Sequence, residues 1–315
     1  MKVPERQLPP RLGRMSVPSA SSRAAAALAG VRRRPRMVAT DLDGTVIGYA
    51  HTRTGRLSPR TIEALQAAHD AGVTVVFVTG RPLRWLSPLR DQLGTVGPVI
   101  CSNGAVVVDP ATDQVLLSHG MEHADVWKAA ARLRAADETA SFGAETLGGF
   151  VWEPAFGERA EGVTGAQAGP HAGAESGAAH RLEHMLPDDA TVVKLMARSG
   201  RRTPDELLAW TRELVGDLVS VTHSAPDLPL VEMAVRGVHK AATLEEYAGR
   251  LGIAADQVVA FGDMPNDVEM LQWAGLGLAV ASGHPELQAA ADAVVGACDD
   301  DGVAEVIEHL LTLPE

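Results

Sequence analysis

From residue 37 onward, short apolar runs alternate with stretches whose apolar positions recur at helical spacing, the pattern of a largely parallel α/β sheet. Met37-Val38-Ala39-Thr40 reads as a strand that ends on an acid, Asp41. Ser58-Pro59 supplies an N-cap and a first-turn proline. Ile62, Leu65, Ala68 and His69 then follow at helical spacing, and Gly72 closes the helix. Residues 73–78 form the next predicted strand, ending at Thr79-Gly80; residues 82–93 read as a helix and 98–101 as a strand. The rhythm returns towards the carboxyl end. There, helices are predicted over 243–251, 265–273, 285–291 and 303–311, with strands over 257–261, 276–280 and 293–295.

Residues 119–227 break this rhythm. They gather Trp127, Phe142, Phe150, Trp152 and Phe156, then a run of small residues over 157–180, then an apolar strand over 191–197. The division predicted is a disordered basic tail over 1–36, a core from 37–118 and 228–315, and a smaller α/β unit inserted at 119–227. The fold class expected is α/β, a doubly wound, mainly parallel Rossmann-like sheet carrying an inserted α/β unit. The stretch 157–180 is expected to be a flexible loop, because Gly, Ala and Glu dominate it and little in it could be buried.

Composition narrows the function classes. The chain is 46% hydrophobic, enough for a real core, yet no apolar run approaches the roughly 18 residues of a membrane span. Two distant cysteines, Cys101 and Cys298, make neither a disulfide framework nor a zinc ribbon and suit a reducing, cytoplasmic setting. Residues 1–36 hold nine basic residues and one acid, which leaves 19 basic and 39 acidic residues of the chain's 28 and 40 to the rest. A body that acidic is a poor nucleic-acid binder. An anionic substrate must therefore be met by a metal, by backbone N–H groups or by one placed lysine. No membrane, nucleic-acid or obligate protein partner is expected.

The chemistry concentrates at two strand ends. Asp41-Leu42-Asp43-Gly44-Thr45 sits where open α/β sheets bind ligands. Two carboxylates one residue apart on a strand project to the same side, so one can act as nucleophile while the other handles protons. An EF-hand is excluded, because its sixth and twelfth positions would be Val46 and Thr52. A receiver module is disfavoured, because the next acidic cluster lies more than 200 residues downstream. That cluster, Gly262-Asp263-Met264-Pro265-Asn266-Asp267, follows a strand and opens a helix. Asp263 and Asp267 could face one hard cation together with Asp41, and an all-oxygen site of this kind suits magnesium over zinc. Thr79 offers a hydroxyl at a third strand end. Lys240 is one of only three lysines after residue 36, against sixteen arginines, so it reads as a compact charge placed on purpose.

Asp41-Leu-Asp-Gly-Thr45, Thr79-Gly80-Arg81, Lys240 and Gly262-Asp-Met-Pro-Asn-Asp267 resemble, in order, the four motifs of the haloacid dehalogenase superfamily. The form of the last motif and the pair Asn103-Gly104 are similar to its Cof-type phosphatase branch, which carries a larger α/β cap. The chain departs at His239 and Ala241, where the family often has Ser and Gly around the lysine. The resemblance implies a magnesium-dependent phosphatase acting on a small phosphorylated metabolite, a sugar phosphate or a phosphorylated cofactor. It implies Asp41 as nucleophile, Asp43 as acid and base, and a Mg2+ site from Asp41, the Asp43 carbonyl and Asp263. Thr79, Gly80, Lys240, Asn103 and Asn266 would contact phosphate, with Asp267 supporting metal and lysine. A phosphomutase sharing the nucleophile and a non-enzymatic phosphate-binding regulator are the alternatives.

Three other features compete for attention. His119-Gly-Met-Glu122-His123 has the spacing of an inverted zinc-peptidase motif but needs a continuous helix, which Gly120 disfavours. Trp152, Phe156 and Met196 could line a pocket, though such residues in a small domain are more often core. Lys194 could greet an anion or lie on a solvent-facing strand surface.

Overall fold

The computed structural model describes residues 28–93, 96–158, 181–222 and 228–315. Thirteen strands among them are β1 (Met37–Thr40), β2 (Thr74–Val78), β3 (Val99–Cys101), β4 (Val106–Asp109), β5 (Gln114–Ser118), β6 (Ser141–Thr146), β7 (Gly149–Trp152), β8 (Val192–Arg198), β9 (Ser220–Thr222), β10 (Leu230–Ala234), β11 (Val258–Gly262), β12 (Leu276–Val280) and β13 (Ala293–Val295). They form one eight-stranded sheet, ordered β13-β12-β11-β1-β2-β3-β4-β5, and one five-stranded sheet, ordered β7-β6-β8-β10-β9.

In the larger sheet β13 through β3 run parallel, and β4 and β5 close the edge antiparallel. Near-continuous burial along β1, β11 and β12 is what a sheet covered on both faces requires. Alternation then divides the core. Val38, Val75, Phe77, Val259 and Phe261 face the helices Pro59–Asp70 and Gly302–Leu311. Met37, Ala39, Val76, Val258 and Ala260 face the helices Lys240–Arg250 and Val268–Trp273. Fully buried side chains such as Phe77 and Phe261 each stabilise the fold by roughly 1.5–3 kcal/mol. The doubly wound Rossmann-like architecture expected from the sequence is present. Its β1 has β2 on one side and β11 on the other, so the chain winds away from β1 in both directions. That reversal opens a crevice beyond the carboxyl ends of β1 and β11.

The five-stranded sheet is antiparallel throughout. Its Phe142, Ala144, Leu195, Ala197, Val231 and Met233 pack under the helices His123–Ala136 and Pro204–Val215. The second of these helices starts on a capping box, Thr203 with Glu206. Because β10 belongs to this sheet, the chain returns to the larger sheet only after Ala234. The predicted loop at 157–180 lies outside the described residues from 159 on. The helix expected over 82–93 is instead a 3-10 turn, Leu83–Trp85, followed by a helix, Ser87–Leu93. Pro88 explains the break: proline has no N–H to give to a helix interior but suits a first turn. Part of the predicted tail is docked, since Arg34 bonds the carbonyls of Ala71, Leu311 and Leu313, and Arg36 that of Gly252. Among the described residues no helix is long and apolar enough to cross a membrane.

Candidate active site

Asp41 follows the last residue of β1, and its N–H donates to the Phe261 carbonyl of β11 at 3.0 Å. One side of the crevice is thereby locked to the other. The chain then turns tightly: the N–H groups of Val46 and Ile47 both return to the Leu42 carbonyl, at 3.0 and 2.8 Å. Asp263 follows β11 directly, and Asp267 closes a 3-10 turn whose geometry brings its Oδ2 to the N–H groups of Asp263 and Met264 at 3.2 and 3.1 Å. Ligand atoms of Asp41, Asp263 and Asp267 lie within 4.8 Å of one another, and all three residues are buried.

Lys240 stands at the start of the helix Lys240–Arg250 and is 2% exposed. Its Nζ donates to Asp41 Oδ1 at 2.6 Å and to Asp267 Oδ1 at 2.7 Å. The departure at His239 is chemically small, because His239 Nδ1 caps this helix by accepting the Ala242 N–H at 3.4 Å. Gly104 lets the 102–104 turn approach the same helix end. It has φ +110°, and a Cβ there would lie 2.6 Å from the His239 carbonyl oxygen. Thr243 Oγ1 then donates to the Gly104 carbonyl at 2.8 Å.

Burial is the main influence on the acids, since a carboxylate removed from water pays for its charge. It holds Asp41 well above the usual range, with Lys240 opposing and Asp267 and Asp263 adding. It pushes Asp263 up to about 6, with a hydrogen bond from Tyr49 opposing and the Asp267 charge adding. Burial works to lower Lys240, but the carboxylates of Asp267 and Asp41 outweigh it and hold the amine above its ordinary value. Three carboxylates thus share one ammonium in a water-poor crevice. A hard divalent cation fits that donor set, because it takes oxygen ligands and supplies the positive charge the group lacks.

The remaining predicted residues fall around this centre. Thr79 follows β2 and is 1% exposed; its Oγ1 accepts the Arg81 N–H at 3.1 Å, and its hydrogen remains to be donated. Gly80 abuts Asn103, whose Oδ1 lies 3.2 Å from where a Cβ would stand. Asn103 takes a left-handed conformation, φ 57°, and accepts from Asn266 Nδ2 at 3.2 Å. So Thr79, Gly80, Asn103 and Asn266 form one rim and Asp41, Lys240, Asp263 and Asp267 the floor. Asp43 is held by Arg81, whose Nε and Nη2 donate to its carboxylate at 2.6 and 2.5 Å.

Arg81 and Thr45 are site residues to which the sequence reading gave no role of their own. Thr45 Oγ1 bridges Asp41 Oδ2 at 3.2 Å and Asp263 Oδ1 at 3.4 Å. Both stand inside motifs already singled out, so adjacency was the available signal. Other candidates do not assemble. His123 opens a helix and reaches the Ala190 carbonyl, while His119 lies 3.2 Å from Glu246, so they share no metal. Phe156 and Met196 are core, with Phe150 and Leu230. Lys194 is not on a solvent face: it is buried, with its Nζ 2.8 Å from Glu232 Oε2, since both faces of the smaller sheet are covered at that point.

Comparison with known proteins gives the family and the fold. A family model described as haloacid dehalogenase-like hydrolase matches residues 38–307. A 5-amino-6-(5-phospho-D-ribitylamino)uracil phosphatase of Bacillus subtilis, YitU, is 25% identical over 287 residues, covering 89% of this chain and 99% of the relative. The pyridoxal phosphate phosphatase YbhA of Escherichia coli is 28% identical over 292 residues, covering 88% and 99%. Among solved structures, a haloacid dehalogenase-like hydrolase from Bacteroides thetaiotaomicron superposes with a TM-score of 0.68 at 21% identity, covering 88% of this chain and all of that one.

Proposed function

Because the chain belongs to the haloacid dehalogenase-like hydrolases, we propose that it is a magnesium-dependent phosphatase that hydrolyses a small phosphomonoester through a phospho-aspartate on Asp41. One observation carries this reading: a buried carboxylate at the end of β1 lies 2.6 Å from Lys240, beside Asp263 and Asp267. A nucleophile that must approach an anionic phosphoryl group needs that much positive charge around it.

Asp41 attacks phosphorus, the ester bond breaks, and Asp43 delivers a proton to the departing oxygen. Asp43 then takes a proton from water as that water attacks the phospho-aspartate, returning Asp41 and releasing phosphate. Arg81 aims the Asp43 carboxylate during both steps. Lys240 and the Thr79 hydroxyl bind phosphoryl oxygens, assisted by the Gly80 backbone, Asn103 and Asn266. Mg2+ would be held by Asp41, Asp263 and the Asp43 carbonyl, with Asp267 in support, and would neutralise charge between carboxylate and phosphate.

The five-stranded unit is read as a cap that excludes bulk water and selects the leaving group. It meets the core near the site, where Arg84, three residues after Arg81, pairs with Glu145 of β6 at 3.0 and 3.1 Å. Relatives of similar length are named for a ribitylaminouracil phosphate and for pyridoxal phosphate, which supports a phosphorylated sugar derivative or cofactor as substrate. The test is phosphate release from a panel of such esters, with Mg2+ and with chelator. Release should require Mg2+ and intact Asp41. A well-folded protein that releases phosphate from none of them would overturn the reading.

A further inference from the structure

The carboxylate oxygens of the floor each have a partner, and those partners differ in how easily they can leave. Asp41 Oδ1 and Asp267 Oδ1 take Lys240, and Asp267 Oδ2 takes two backbone N–H groups. Asp41 Oδ2 and Asp263 Oδ1 share the hydroxyl of Thr45, which is 1% exposed. Asp263 Oδ2 takes the phenolic hydroxyl of Tyr49, a residue 59% exposed on the loop that follows the Asp41 motif. Four of these five partners are buried or belong to the backbone. Tyr49 alone reaches in from the surface.

Its position is built. Tyr49 opens a 3-10 turn, Tyr49–His51, and the next residue's carbonyl, Thr52 O, accepts Arg81 Nη2 at 2.7 Å. Gly48 is pressed against Asp299, whose Oδ1 lies 2.4 Å from where a Gly48 Cβ would be. At Gly44, with φ +89°, a Cβ would meet Asp263 Oδ2 at 2.0 Å and the Tyr49 hydroxyl at 2.6 Å. Phenol and carboxylate therefore close together over the backbone just beyond Asp43. That backbone includes the carbonyl named above as a cation ligand. An exposed aromatic ring keeps its hydroxyl in water unless something holds it, and here the acceptor is a carboxylate of the proposed cation site.

We propose that Tyr49 gates that site, its hydroxyl holding Asp263 Oδ2 and giving the oxygen up when a divalent cation takes it. The inference rests on reading Asp41, Asp263 and Asp267 as a cation site. A hydroxyl hydrogen draws on the same oxygen charge that a hard cation needs, so the cation gains that oxygen more fully once the hydrogen bond is given up. Tyr49 yields before Thr45 because its ring can swing into solvent, whereas Thr45 is enclosed. Cation entry is thereby coupled to the loop at 49–52, which also tethers Arg81 and through it Asp43.

Mn2+ binding to the full chain, followed by electron paramagnetic resonance without substrate, tests this directly. Tyr49→Phe keeps the ring and removes the competing hydrogen, so it should bind Mn2+ roughly three- to tenfold more tightly than wild type. The chain has two tyrosines, Tyr49 and Tyr247. In wild type labelled with 13C at the tyrosine ζ carbon, Mg2+ should shift the Tyr49 resonance and leave that of Tyr247 in place. Equal or weaker Mn2+ binding by Tyr49→Phe, or an unmoved Tyr49 resonance at saturating Mg2+, would overturn the gate while leaving the phosphatase reading intact. Wild type that binds no Mn2+ would remove the cation site itself, and the gate with it.

Discussion

The two sheets both bury charge, but they balance it differently. At the crevice of the larger sheet, Asp41, Asp263 and Asp267 share the single ammonium of Lys240. Among the described residues in and beside the smaller sheet each buried acid has a base against it: Glu145 has Arg84, Glu232 has Lys194, Asp137 has Arg202, and Glu153 has Arg134, which also holds the half-buried Glu183. A one-to-one pair returns much of the desolvation cost of both partners and fixes geometry. Three acids on one base return less, and a fold keeps such a group when it binds charge from outside. The imbalance in the core is thus a mark of chemistry, and the balance in the smaller unit a mark of architecture.

Breaking the unbalanced group should cost activity far more than stability. Asp41→Asn keeps shape and one oxygen but removes the nucleophile, so phosphate release should fall by at least about 10^4-fold with folding retained. Activity near wild type would end the phospho-aspartate mechanism. Breaking a balanced pair should do the reverse. Lys194→Met removes an ammonium that lies 2.8 Å from the buried Glu232 carboxylate, and denaturant unfolding should record a loss of up to about 3–5 kcal/mol. Pairing it with Glu232→Leu should recover most of that loss. Failure of the double variant to recover would mean that the pair does more than balance charge.

Arg81 tests the boundary between the two behaviours, since its partner Asp43 is both an ion-pair acid and the proposed proton carrier. Arg81→Met should lower kcat by roughly 10^2-fold, as expected for a misaimed acid–base group. KM should change little, because Arg81 is tied to Asp43 and to Thr52 O, and neither is read as a phosphate contact. An effect on KM alone would recast Arg81 as a substrate ligand.

The core was the more legible half. Its candidate site residues stand just past strand ends, where alternation fixes their direction, so Asp41, Thr79 and Asp263 could be located from the pattern itself. Lys240 stood out by scarcity. Less could be read where partners meet only in space. Arg81 and Asp43 are 38 residues apart and Tyr49 and Asp263 are 214 apart, and no spacing rule links them. The solvent-face alternative for Lys194 fails for a related reason. A lone strand lysine looks like a solvated face until Glu232, 38 residues later, comes alongside. Pro88 divided a predicted helix that apolar spacing alone would have continued.

The last contrast is in acid response, and it carries a sign. Hydrogen bonds from Thr139 and Ser199 outweigh burial and hold Asp137 in the smaller unit down at about 2, so its stabilisation is present above pH 4 and is lost as pH falls through 2. Asp263 behaves oppositely. Burial raises it to about 6, so between pH 4 and 6 the folded protein holds a proton that the unfolded chain has released. Stability therefore falls as pH rises through that window, and above pH 6 the whole cost of the charge is present. Asp263→Asn removes that charge at constant shape. In chelator it should raise Tm at pH 7.5 by on the order of 5 °C for a chain of this size, and the gain should shrink to nothing near pH 4. Saturating Mg2+ should reverse the order at pH 7.5, because only the wild type can give the cation its full carboxylate. A variant no more stable than wild type in chelator at pH 7.5 would mean that Lys240 and the hydroxyls around Asp263 already balance its charge, and the distinction between the two sheets would then lie in geometry alone.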